Sequence, residues 1–178
     1  MTLSGQDSKD AETFAPAENP FAEDDEKEKP KVDATLPDEV MAVVVTIQGD
    51  KGSGTGFVAK FRGNLVIITN QHVLGNNARL TIKDNRGLQL KGTRFAAASD
   101  ADIAMIQLDM PRPDQAFLKL AESTETASRK DTPVMIPGNS NGDGVVTVTP
   151  GKVIGIGAKK VEVDNPIYPG NNGSPIVV

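Results

Sequence analysis

From Met41 onward the apolar residues come in short runs, mostly β-branched, separated by Gly, Pro and Asn. Residues 41–47 (Met-Ala-Val-Val-Val-Thr-Ile) predict a buried strand, since β-branched side chains suit a pleated, packed surface. Residues 52–56, Gly-Ser-Gly-Thr-Gly, predict a flexible turn. Residues 57–61 and 65–69 predict two strands joined at Arg62-Gly63-Asn64, a hairpin signal. Residues 79–83 alternate as a strand does, residues 88–97 predict a longer strand, and 103–108 another. Pro111 and Pro113 then mark a linker. In the second half, 134–137, 145–149, 153–156 and 161–163 predict short strands, with 138–144 and Pro150-Gly151 as turns. Helical spacing is weak everywhere, and only 115–123 predicts a turn or two of helix. Residues 174–178 start a strand that stops without a turn, so the chain is expected to continue past Val178. Many short strands with such turns predict an all-β sandwich or pair of barrels.

Charge changes this picture only at the N-terminus. Residues 1–39 hold 12 Asp/Glu and 4 Lys/Arg, whereas 40–178 hold 12 and 15. The acidity therefore belongs to the first segment. Residues 1–38 are poor in large apolar side chains and cannot bury enough surface to offset their ordering entropy, which predicts a disordered acidic linker. The slight positive excess of the remainder is diffuse. Its longest basic runs are Arg129-Lys130 and Lys159-Lys160, which gives no support to nucleic-acid binding.

Several function classes drop out. With no Cys there is no disulfide or thiol chemistry, and with one His there is no multi-histidine metal site within the chain. No metal or cofactor is expected. No apolar stretch reaches the ~18 residues of a membrane span. The first residues, Met-Thr-Leu-Ser-Gly-Gln-Asp, lack the basic and apolar regions of a signal peptide. The expectation is a cytoplasmic protein, or a periplasmic or other extracytoplasmic one whose leader lies further upstream.

Three segments carry possible chemistry. In the first, residues 65–69 run as a strand into Asn70-Gln71-His72, which places the chain's one imidazole rigidly at a barrel edge. In the second, Ser99-Asp100-Ala101-Asp102 precedes the apolar strand 103–108. A carboxylate entering a core needs a partner, and orienting an imidazole is one such use. Asp102 is the first choice and Asp100 the second. The third is Pro169-Gly170-Asn171-Asn172-Gly173-Ser174-Pro175, a glycine-rich loop ahead of a strand, whose backbone N–H groups can form an oxyanion hole or an anion nest. Each has a plain alternative: a structural His, a turn carboxylate, a tight Asn-Gly turn.

Taken in order, His after Thr-Asn, Asp before Ile-Ala, then Gly-Asn-X-Gly-X-Pro, the chain resembles the trypsin-like serine proteases over about residues 40–178. It is nearest their bacterial HtrA-like branch, which the Ile-x-Pro at 167–169 also matches. The resemblance implies two Greek-key β-barrels, about 39–112 and 116–178, the second incomplete, with a site in the cleft between them. It implies protein or peptide substrates. It makes His72 the general base and Asp102 the residue orienting it, and it gives the oxyanion hole to the backbone of Gly170 and Asn172.

One residue departs from the family motif, which has Ser where this chain has Asn172. A carboxamide has no hydroxyl to deprotonate and its nitrogen lone pair is delocalised, so it forms no acyl-enzyme. Ser174 lies two strand rises away, ~6–7 Å, beyond the reach of His72. Position 166, the pocket position of trypsin-type enzymes, is Pro166 rather than Asp, so the resemblance supports no Lys or Arg preference. Two readings follow. One is a serine endopeptidase domain whose nucleophile has changed, since Ser and Asn codons lie one base apart. The other is a pseudoprotease that binds peptides by strand addition without cutting them. A β-barrel adaptor with chance motifs fits three ordered matches poorly.

Overall fold

The computed structural model describes residues 35–178, apart from Asn76 and 124–128. The acidic linker expected over 1–38 lies mostly outside the described residues. Its last residue, Asp38, opens a single helical turn, α1 (Asp38–Met41), which leads into the first strand.

The fold is all-β. Strands β1 (Val44–Gly49), β2 (Ser53–Phe61) and β3 (Asn64–Thr69) form an antiparallel meander. After the turn α2 (Gln71–Leu74), β4 (Leu80–Asp84) returns to pair with β1. This spatial order, 4-1-2-3, is a Greek key, and its long return connection carries His72. Strands β5 (Gln89–Leu90), β6 (Gly92–Ala97) and β7 (Ala104–Leu108) complete a seven-stranded sheet in the order β5-β4-β1-β2-β3-β7-β6. The two outermost strands are β5 and β6, and one residue, Lys91, joins them. The sheet must therefore curl until its edges meet. Inside lie Val45, Ile47, Val58, Ile67, Ile82 and Ile106, all buried.

A second sheet holds β8 (Pro133–Gly138), β9 (Thr147–Ile156) and β10 (Val161–Val163), in the order β10-β9-β8. A 3-10 turn, Ser140–Gly142, follows β8. Val177 adds an antiparallel bridge to Met135 on the free side of β8.

Four local expectations change. Ser53–Gly56 are strand rather than turn. A Cβ on Gly54 would lie 2.6 Å from Cγ1 of Val73 and 3.1 Å from the carbonyl oxygen of Asn172. The glycine therefore serves close approach, not flexibility. The single strand expected over 88–97 breaks at Lys91, where the sheet turns its closing corner. The two strands expected at 145–149 and 153–156 are one, β9, which runs through Pro150. Pro150 faces Met135, whose own N–H and C=O bond Val177 instead, so no ladder hydrogen bond is asked of the proline. The helical turn expected over 115–123 is absent. There the chain runs beside β2, and Leu118 donates its N–H to the Val58 carbonyl at 2.8 Å.

Candidate active site

The last rung between β3 and β7 is Thr69↔Ala104. Two chain segments therefore leave one rim side by side, one toward His72 and one coming from Asp102. Val73 is buried and anchors α2, while the His72 side chain beside it stays 54% exposed. Nδ1 of His72 lies 2.5 Å from Oδ2 of Asp102, and the backbone N–H of His72 donates to Oδ1 at 3.0 Å. Asn70 donates to the Asp102 carbonyl at 2.6 Å, and Gln71 donates to the carbonyls of Ala98 and Ala101, each at 2.6 Å. Three consecutive residues thus strap down the loop that delivers the carboxylate.

The hydrogen bond with the His72 ring outweighs the cost of desolvation and, helped by the backbone N–H, holds the Asp102 carboxyl below its ordinary range. With Nδ1 donating to this carboxylate, a neutral ring carries its lone pair on Nε2. Asp100 takes no part in this pairing. Its carboxylate lies 3.6 Å from Nζ of Lys159, both groups being largely exposed.

The loop 169–175 is held by its carbonyls. The Pro169 carbonyl accepts from Asn141 at 2.7 Å, and the Gly170 carbonyl from Oγ1 of Thr55 at 2.7 Å. The Asn171 carbonyl accepts from Ser174 at 3.0 Å, and the Asn172 carbonyl from the N–H of Thr55 at 2.8 Å. In a planar trans peptide the N–H points opposite to the C=O. The N–H groups of Gly170 and Asn172 therefore point away from the anchored Pro169 and Asn171 carbonyls. Neither donates to any acceptor among the described residues. Gly170 and Gly173 have φ of +92° and +89°, and a Cβ on either would strike backbone, of Asn139 and of Thr55 respectively.

Gly54 brings the two halves of the site together, since Val73 and the Asn172 carbonyl both approach the place of its missing Cβ. Asn172 is exposed. Ser174 is turned away from this surface. Its Oγ is buried, has no hydrogen-bond partner, and occupies the space where a Cβ on Gly138 would fall.

Two residues of this neighbourhood escape sequence reasoning. Thr55 sits in what reads as a turn. Ser140, in a polar loop, donates to Oδ1 of Asn171 at 2.9 Å and shares a 2.6 Å contact with Thr147. A lone threonine between two glycines, just ahead of a buried apolar run, is the one signal that points to the first.

Open space adjoins the imidazole, a cavity of about 290 Å³ lined by Lys51, Gly52, Ser53, His72, Val73 and Asn77. A larger one, about 630 Å³, lies away from this chemistry, between 118–122 and 176–178. Among the described residues no cluster of three or more His, Asp or Glu is placed to hold a metal ion, and no helix is long and apolar enough to cross a membrane.

Several known proteins are similar to this chain. The chain is 28% identical over 135 residues to Serine protease HTR4 of Bos taurus, covering 70% of this chain and 27% of the relative. It is 26% identical over 129 residues to the uncharacterized protein y4bJ of Sinorhizobium fredii, covering 70% and 20%. The chain thus spans about a quarter of the length of these curated relatives. Its fold is similar to that of the serine endoprotease from Yersinia pestis, with TM-score 0.64, 19% identity and coverage of 80% and 54%. It is also similar to Rv3671c from M. tuberculosis H37Rv in an inactive form, with TM-score 0.59, 20% identity and coverage of 77% and 69%. Residues 54–178 match the family described as Trypsin-like peptidase domain, and the chain belongs to that family.

Proposed function

We propose that this domain carries the site of a serine-type endopeptidase and that, with Asn172 at the nucleophile position, it does not cleave peptides. His72 is the general base through Nε2. Asp102 holds the ring in the required tautomer and orientation. The N–H groups of Gly170 and Asn172 form the oxyanion hole. The substrates are proteins or peptides, laid extended along the cleft. Within 39–178, the segments 39–112 and 116–178 are the two halves that flank it.

The observation that carries this reading is the His72–Asp102 pair beside a loop in which the Gly170 and Asn172 N–H groups have no acceptor among the described residues. Such donors, fixed before a substrate arrives, stabilise a developing oxyanion without reorganisation. The chemistry stops at one atom. Acyl transfer needs an oxygen whose proton Nε2 can take, and a carboxamide offers none. A triad lacking its nucleophile keeps only the residual catalysis of the hole, roughly a millionfold below the intact enzyme in kcat.

The test is Asn172→Ser in the full-length protein, treated with a fluorophosphonate probe. Stoichiometric labelling at position 172, absent from the unaltered protein and from His72→Ala/Asn172→Ser, is the expected result. A folded Asn172→Ser protein that never labels overturns the reading.

The second reading, a peptide-binding module, is favoured by Asn172 itself. It predicts that the unaltered chain binds extended peptides by strand addition. Titration against a peptide library separates the two, since a domain that merely lost its nucleophile has no reason to bind any peptide tightly.

A further inference from the structure

Thr55 is the most completely engaged polar residue near the site. Its relative exposure is 0%. Its hydroxyl accepts the N–H of Asn139 at 2.9 Å and donates to the Gly170 carbonyl at 2.7 Å. Its N–H donates to the Asn172 carbonyl at 2.8 Å, and its own carbonyl accepts from Oγ1 of Thr69 at 2.7 Å. One residue of β2 therefore ties together β3, the turn after β8 and the loop 169–175.

A backbone N–H lies in the peptide plane that precedes its residue, and the plane that follows limits how far the first can turn about the Cα. For Gly170 these planes are anchored at the Pro169 carbonyl by Asn141, and at the Gly170 carbonyl by the Thr55 hydroxyl. For Asn172 they are anchored at the Asn171 carbonyl by Ser174, and at the Asn172 carbonyl by the Thr55 N–H. Asn141 and Ser174 thus anchor the planes that contain the two N–H groups, and Thr55 anchors the plane that follows on each residue. Gly170 resists reorientation poorly by itself, because glycine has no Cβ to restrict φ and ψ. The restraint has to come from outside the loop, and the rigid χ1 of a β-branched side chain in a strand is suited to give it.

We infer that Thr55 is a positioning residue for the loop 169–175: its hydroxyl and N–H hold the Gly170 and Asn172 carbonyls, and through them the backbone geometry that leaves both N–H groups without an acceptor among the described residues. This inference rests on the proposed oxyanion role for the part that concerns catalysis. The holding of the loop stands without it. Valine at 55 keeps the shape but leaves the buried Asn139 N–H and the Gly170 carbonyl without partners, which the loop relieves by turning. Serine keeps both hydrogen bonds.

Two measurements test this. In the unaltered background, amide hydrogen exchange is followed in Thr55→Val and Thr55→Ser. Thr55→Val is expected to speed exchange at Asn171 and Ser174 by about tenfold or more while Ile47, Ile67 and Ile106 stay protected, and Thr55→Ser to restore it. Unchanged exchange at Asn171 and Ser174, or equal acceleration at the core amides, overturns the inference. In the Asn172→Ser background, Thr55→Val is expected to lower kcat on the order of 10²-fold with KM within about threefold. Thr55→Ser is expected to recover most of it. An unchanged kcat in a reactive Asn172→Ser protein overturns the positioning role while leaving the proposed function intact. Failure of Asn172→Ser itself to react overturns the proposed function, and the exchange measurement then decides the holding role alone. Should Thr55→Val not fold, Thr55→Cys, with its weaker donor, carries the same comparisons.

Discussion

Asp102 holds His72 at two points: one carboxylate oxygen lies 2.5 Å from the ring Nδ1 and the other accepts the backbone N–H of the same residue at 3.0 Å. The pair thus fixes both the tilt of the imidazole and the start of its helical turn. Both side chains are about half exposed, 54% and 49%. Exposed ion pairs contribute little stability, so the contact is better understood as orientation than as a source of folding energy.

Asp102→Asn in the Asn172→Ser protein is expected to retain the fold, since an amide oxygen can still accept the His72 N–H. The other tautomer of the ring becomes competitive, and fluorophosphonate labelling is expected to slow by on the order of 10⁴-fold. Because the His72 contacts hold this carboxyl below 3.8, it is ionised throughout the neutral range. Labelling should therefore show no titration from Asp102 above about pH 5. A loss of less than about tenfold would show that the pairing is dispensable.

Ser174→Ala tests whether the second serine of the loop matters. Its buried hydroxyl has no partner, and burying an unpaired polar group is unfavourable. Alanine is expected to leave stability unchanged or raised by up to about 1 kcal/mol, read from urea midpoints. Labelling of Asn172→Ser/Ser174→Ala is expected to match that of Asn172→Ser. Loss of labelling only when Ser174 is removed would assign the nucleophile to Ser174.

Asp84 closes the other end of the first sheet and predicts acid sensitivity. Its side chain is 1% exposed and accepts from the N–H groups of Arg86 at 3.0 Å and Leu88 at 2.9 Å, and from Arg112 at 3.1 Å. Burial pushes its carboxyl up, but the Leu88 N–H, Arg112 and the Arg86 N–H together outweigh this and lower it. A lowered folded pKa means the unfolded chain binds the proton more readily. The contribution is thus complete above about pH 5 and is lost as pH falls through the folded value. Asp84→Ala is expected to cost about 2–3 kcal/mol at pH 7 by urea denaturation, and less at pH 3. An equal cost at both pH values would rule out the charge as the cause.

Much of the fold was legible along the chain, because strand pattern and turn chemistry are local. The hairpin at Arg62-Gly63, the strand before Asn70, and the strand after Asp102 all follow from runs of a few residues. The candidate residues His72, Asp102, Gly170 and Asn172 likewise follow from the motif order and the family resemblance that it carries. What the chain could not show is which distant segments meet. The choice between Asp100 and Asp102 depends on the Thr69↔Ala104 rung, which sets two segments about thirty residues apart on one rim. The orientation of the Gly170 and Asn172 backbone depends on carbonyl partners in β2 and in the turn after β8. Gly-Ser-Gly-Thr-Gly reads as a turn because glycine favours turns, yet it is strand because it pairs with β1, and Gly54 is glycine because Val73 and the Asn172 carbonyl fill the place of a Cβ. Local propensity sees only the neighbours in sequence, whereas a Cβ clash or a buried hydroxyl's partner exists only once the sheets are assembled.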